Sequence, residues 1–253
     1  MRRISILAVC AMVLSSCGGG GGGIVHPATT FRANQVGDIW LYSVAINFGQ
    51  FGAYTGTLTD SLTSDTYNGQ PSIRNTQTFN LLLNTGPSTI TSYSEISPQG
   101  VLLADMVSAV LYPVTSDTFS TGSTIGSTTS DSGVITLSNG ETITETYKVI
   151  GTEVVQTQVG SFACWIVKQT VVNSNGVKDD FTIWMAPETG NYVRIDDTTQ
   201  NPDGTGYTYT ASLTSIVTPT SQNREAGSLH LLGHLPKLGQ VQLSFFGLPI
   251  HSH

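Results

Sequence analysis

The chain has 253 residues, a formal net charge of −7 at pH 7, and only 11% charged residues. An acidic chain without a basic run has no electrostatic footprint for nucleic acid and no polybasic patch for anionic lipid, so both are excluded as charge-driven partners. Charged residues usually make up about a quarter of a domain. Here Ser, Thr, Asn, Gln and Gly stand in their place, a mixture suited to strands and turns and unsuited to a helical bundle.

The N-terminus divides as a secretory leader does. Arg2 and Arg3 form a basic end, Ile4 to Leu14 is apolar apart from Ser5, and Ser15-Ser16 are small. The apolar run is roughly half the length a spanning helix needs. Leu14-Ser15-Ser16-Cys17 resembles the bacterial lipobox. That resemblance implies a signal peptide over residues 1–16, cleavage before Cys17, and diacylglyceryl and palmitate-type acyl chains on that cysteine. The implied partner is then a membrane, since each buried methylene adds about 0.8 kcal/mol and several chains anchor stably. An ordinary signal peptide with a chance cysteine is the alternative. Position 18 is glycine, not the aspartate linked to inner-membrane retention, so the resemblance favours the outer membrane where the host has one. Gly18 to Gly23 is an unbroken glycine run, and residues 17–30 read as a flexible tether.

Cysteine usage is sparse. Of three cysteines, Cys10 leaves with the leader and Cys17 is committed to lipid, so Cys164 has no intramolecular partner. On an apolar strand it reads as a small buried hydrophobe before it reads as a nucleophile.

Strand signals fill residues 31–217. Trp40, Tyr42, Val44, Ile46 and Phe48 recur at period two. Tyr54, Leu58 and Leu62 share one face, with Thr55, Thr57, Thr59, Ser61 and Thr63 on the other. Asn68-Gly69 marks a turn, followed by Ile73, Phe79, Leu81 and Leu83. Ile90 to Ile96 and Val101 to Val107 are joined by Pro98-Gln99-Gly100. Ser116 to Gly133 reads as a long loop or weak edge. Further strands are predicted over 142–149, 153–159, 162–172, 179–186, 191–196 and 207–217. The 162–172 segment is apolar on both faces, which predicts a central strand covered on its second side. No stretch of the mature domain shows a 3.6-residue period.

Val159-Gly160-Ser161-Phe162-Ala163-Cys164 and Trp184-Met185-Ala186-Pro187-Glu188-Thr189-Gly190-Asn191-Tyr192-Val193-Arg194 resemble a pattern in uncharacterised bacterial lipoproteins. Val36-Gly37-Asp38-Ile39-Trp40-Leu41-Tyr42 is similar to their opening strand. The resemblance implies an open, curved antiparallel sheet of the LolA/LolB-like half-barrel kind. Asn191-Tyr192 departs from it, standing where an aliphatic residue is commoner. In physical terms Pro187 presets a turn dihedral and Gly190 accepts positive φ, while Trp40, Phe162 and Trp184 become candidate lining of a ligand-binding cup.

Catalytic signatures are missing. There is no nucleophile elbow, zinc-protease motif, phosphate loop or dinucleotide fingerprint. His26 is the only histidine before the tail. Asp179-Asp180 and Asp196-Asp197 are adjacent pairs whose members point to opposite faces of a strand. Asn201-Pro202-Asp203-Gly204 offers a calcium loop alongside Asp196 and Asp197, but as a hairpin turn it needs no metal and its spacing matches no EF-hand. His230 and His234 lie four apart, but Gly233 and Pro236 cut any helix short. No catalytic residue, metal ligand or cofactor is expected, and the protein reads as a non-enzyme.

The expectation is therefore an all-β domain over 31–217, a single curved antiparallel sheet or incomplete β-barrel of about ten strands. Residues 218–253 form a poorly ordered or loosely docked tail. The expected role is that of a membrane-anchored envelope lipoprotein binding a hydrophobic ligand or an envelope partner on a concave sheet. A structural or assembly lipoprotein without a pocket is the alternative, and a hydrolase comes third.

Overall fold

The computed structural model describes residues 26–81, 87–96, 102–107, 110–118 and 130–219. Cys17, the glycine run, Leu83, the Pro98-Gln99-Gly100 turn and the tail beyond residue 219 lie outside them.

Among the described residues twelve strands follow one another: β1 Ile39–Asn47, β2 Ala53–Tyr67, β3 Gln70–Leu81, β4 Ser88–Glu95, β5 Leu102–Val107, β6 Val110–Asp117, β7 Ser130–Leu137, β8 Thr142–Thr157, β9 Gly160–Asn173, β10 Lys178–Ala186, β11 Asn191–Gln200 and β12 Gly206–Val217. Each pairs antiparallel with the next, and β12 returns to pair with β1. The all-β, single-sheet expectation holds. The sheet goes further and closes, with Ile39 opposite Val217 on one side and Ser61 on the other. Closure leaves no edge strand to template aggregation.

Alternation explains the inside and the outside. Trp40, Tyr42, Val44 and Ile46 of β1 are buried, as are Leu58 and Leu62 of β2 and Tyr207, Tyr209, Ala211 and Leu213 of β12. The residues between them, among them Ser43, Thr57, Thr59, Thr208 and Thr210, face outward. The β2–β3 hairpin turns at Asn68 and Gly69, both with positive φ (50° and 83°), the backbone that matches strand twist.

The segments predicted separately at 142–149 and 153–159 form one strand, β8. An extra residue, Ile150, is inserted where the pairing steps from Val149–Val167 to Gly151–Ile166. Similar shifts occur near Val193 and Thr214. Such bulges bend a strand and raise its twist, which a closing sheet requires. The predicted 116–133 loop is shorter, because β6 reaches Asp117 and β7 begins at Ser130.

Up-and-down topology gives the barrel two distinct ends. The entry end holds the start of β1, the end of β12 and the turns after β2, β8 and β10. The far end holds the turns after β1, β7, β9 and β11. At the entry end β10 accompanies β9 only to Met185–Trp165, whereas β8 and β9 continue paired to Thr157–Gly160. That hairpin overhangs the rim.

Candidate functional site

Residues 26–38 lie against the entry end. Arg32 donates through both terminal nitrogens to Asp38 (3.1 and 2.9 Å), and Nη2 also donates to the Thr189 carbonyl at 3.0 Å. Asp38 is fully buried. The Arg32 backbone N–H donates to the Pro187 carbonyl at 2.8 Å, and Trp165 Nε1 donates to the Ala28 carbonyl at 3.0 Å. Gly190, at φ 68°, makes room for the strap: a Cβ there would sit 2.3 Å from Asn34 Oδ1 and 2.8 Å from the Arg32 carbonyl. The glycine legible as a turn residue is thus also a packing requirement.

Trp40, Phe162 and Trp184 do not share one concavity. Trp40 points into the core, where its Nε1 donates to the Thr189 carbonyl at 3.2 Å. Trp184 pairs with Ile166 and Arg194, on the face opposite that of Ile183 and Met185. It is covered from outside, with the Arg194 guanidinium 4.4 Å from its ring and Glu153 accepting its N–H at 2.6 Å. Phe162 is half-buried, and by alternation along β9 it shares Trp184's face together with Cys164 and Ile166. Cys164 is buried and free, with its thiol pushed up to about 12 by burial first and by the nearby Glu188 charge. A thiol held in that form is a poor nucleophile.

A constellation the sequence did not announce lies inside the barrel near the far end. Each adjacent carboxylate pair splits as strand geometry demands. Asp180 turns outward to Lys178 (2.6 Å) and Asp196 to Arg194 (2.6 Å), while Asp179 and Asp197 turn inward. The β10–β11 register sets Asp179 opposite Thr199, and the β11–β12 register sets Thr199 opposite Tyr207 and Asp197 opposite Tyr209. Thr199 Oγ1 is 2.6 Å from Asp179 Oδ1 and 3.2 Å from Asp197 Oδ2.

A hydroxyl carries one proton, so it cannot donate to both acids. The shorter contact is Thr199 donating to Asp179. Across the longer one, Asp197 Oδ2 lies within hydrogen-bond distance of the same hydroxyl. Electrostatics agree with this order. Asp197 is raised to about 8 by burial and then by the Asp179 charge, and Asp179 to about 6, chiefly by burial. Deeper in, burial raises Asp60 to about 7, although Asn191, Gln77 and Asn75 hydrogen-bond it. The Tyr209 hydroxyl, raised by burial and then by Asp197 and Asp60, senses both acids. No Lys, Arg or His is buried among the described residues, and the ladder neighbours of Asp179 and Asp197 are Val171, Thr199, Phe181 and Tyr209.

Among the described residues, the core beneath β1, β2 and β8–β12 is packed. Tyr42 stacks on Tyr192 with centroids 4.5 Å apart, and Phe79 meets Tyr209 edge-on at 6.2 Å. Leu58, Val167, Ile183 and Leu213 have no solvent-accessible surface. The fold and interior define the class: an up-and-down antiparallel barrel with a packed core.

No family model matches the chain, and no curated protein does. Two solved structures are similar at a distance. One is a Bacteroides fragilis protein described as exported, with a YmcC-like fold: 16% identity, 76% of this chain, 100% of that chain, TM-score 0.38. The other is a Parabacteroides distasonis protein described as a lipoprotein: 13% identity, 76% of this chain, 99% of that chain, TM-score 0.39. Likenesses at this level decide neither family nor function.

Proposed function

We propose that the protein is a lipid-anchored envelope protein that binds an envelope partner on the outside of its barrel and carries no hydrophobic ligand within. The packed interior supports this reading. A carrier needs a lined cavity, whereas Trp40, Tyr42, Ile183, Ala211 and Leu213 are each 1% exposed or less. The outer strand faces carry Thr and Ser, the reverse of a barrel that meets lipid with an apolar band. Attachment then falls to the acyl chains on Cys17, which the lipobox resemblance implies.

The chain enters at one end of the barrel, so the anchor turns that end toward the bilayer. Val154 and Val159 on the overhanging hairpin and Val217 at the end of β12 are exposed there, whereas the far-end turns hold Asn139, Asn175, Asn201 and Asp203. Two measurements on the full chain test the reading. Palmitate labelling in cells should depend on Cys17, and Cys17→Ser should release the protein from the membrane fraction. An environment-sensitive dye at Val159→Cys should report a less polar setting than one at Asn139→Cys. A labelled Cys17→Ser protein, or equal dye responses at the two positions, contradicts the anchor or the orientation respectively.

A further inference from the structure

We propose that Asp179, Asp197 and Thr199 form a binding site for a single divalent cation, with Ca²⁺ the best fit, closing the far end of the barrel from inside. The site is independent of the lipid-anchor reading.

Three observations carry it. The first is convergence: two carboxylates from neighbouring strands reach one threonine hydroxyl at 2.6 and 3.2 Å. The second is unmet valence. Asp197 Oδ1 and the Tyr207 hydroxyl are buried without a hydrogen-bond partner, and Tyr207 stands opposite Thr199 in the β11–β12 ladder, where both acids act on it. A buried polar atom left unpaired costs about 1–3 kcal/mol, so a native interior seldom keeps several together. The third is charge. Asp179 and Asp197 face Thr199, Tyr207 and Tyr209, and the nearest lysine, Lys178, is engaged on the outer face by Asp180. Two buried carboxylates without a basic partner must hold either a proton or a cation, and a divalent ion would displace the proton that the empty site keeps.

Donor chemistry selects the ion. Every candidate ligand is oxygen: two carboxylates, the Thr199 hydroxyl and the phenol oxygen of Tyr207. No imidazole or thiolate is present to favour zinc or copper. Two carboxylates balance a divalent charge, and Ca²⁺ tolerates irregular oxygen geometry where Mg²⁺ demands an octahedron and keeps its waters. The ion would link β10, β11 and β12 at the level where they leave the barrel for their turns.

Calcium titration of the purified, chelator-stripped full chain tests the assignment, read by calorimetry and by melting temperature, with Mg²⁺ in parallel. One Ca²⁺ should bind per chain and raise the melting temperature, and Mg²⁺ should bind at least tenfold more weakly. Asp197→Asn and Asp179→Asn keep the shape of a neutral acid, should fold, and should each weaken binding tenfold or more. Asp203→Asn, in the exposed far-end turn, should bind as the parent does. Absence of a saturable heat and of a melting shift overturns the proposal. So does calcium binding that survives both interior substitutions, or that is lost with Asp203→Asn alone.

Discussion

Asp197 and Tyr209 face each other across the β11–β12 ladder inside the barrel, and the tyrosine hydroxyl finds no hydrogen-bond partner there. The ring packs against Phe79, so the aromatic body is satisfied while its polar tip is not. Tyr209→Phe keeps the body and deletes the tip. In chelator-containing buffer it should be neutral or stabilising by about 1 kcal/mol, the size of a relieved desolvation penalty. Urea unfolding measures this, and a loss above about 1 kcal/mol would mean that the hydroxyl is bonded in solution.

Arg32 is the opposite case, a partly exposed base serving a fully buried acid. Arg32→Ala leaves Asp38 without its counter-charge and removes a donor to the Thr189 carbonyl. The expected cost is about 3 kcal/mol, the low end for breaking a buried pair because the guanidinium is one-quarter open to water. Equilibrium unfolding checks it. A change below about 1 kcal/mol would show that the strap contributes little to the barrel.

Gly190 tests the same contact from the other side. Gly190→Ala meets a left-handed backbone (φ 68°) and a Cβ site 2.3 Å from Asn34 Oδ1. Backbone strain costs about 1–2 kcal/mol, and displacement of the strap adds to it. The variant should lose at least about 2 kcal/mol and expose residues 26–38 to protease. Parent-like stability with an intact strap would contradict the packing described.

How much was legible follows from which interactions are local. The inward faces of β1, β2 and β12 were readable because Trp40 to Phe48, Tyr54 to Leu62 and Tyr207 to Leu213 alternate within single segments. Closure was not, because the β1–β12 pairing joins Ile39 to Val217 and no local pattern encodes it. Alternation correctly separated Asp179 from Asp180 and Asp196 from Asp197. It could not show that the inner member of each pair meets at Thr199, since that depends on the β10–β11 register and the bulge near Val193. Trp184 was misleading for a related reason. A large aromatic on a strand suggests core, yet here Arg194 and Glu153 bury it on the outer face.

Asp60 gives the fold a pH dependence of defined sign. Its folded-state value is raised to about 7 from 3.8, mainly by burial. The folded protein therefore binds a proton that the unfolded chain has released, and the associated stability is complete below about 4. It is lost as pH rises through 7. Chelator-treated protein should melt higher at pH 5 than at pH 8, and Asp60→Asn should flatten that slope. An unchanged slope in the variant would show that Asp60 is ionised in the fold at neutral pH.

The central claim is that the barrel is packed and that the protein works from its outside. Trp40, buried with its N–H on the Thr189 carbonyl, is the natural reporter once Trp165→Phe and Trp184→Phe silence the other two tryptophans. The full chain carrying both substitutions should be titrated with a long-chain fatty acid and with a phospholipid below its aggregation threshold. A packed interior predicts no saturable change in Trp40 emission with either. A saturable one-to-one shift would contradict it and restore the hydrophobic-ligand carrier.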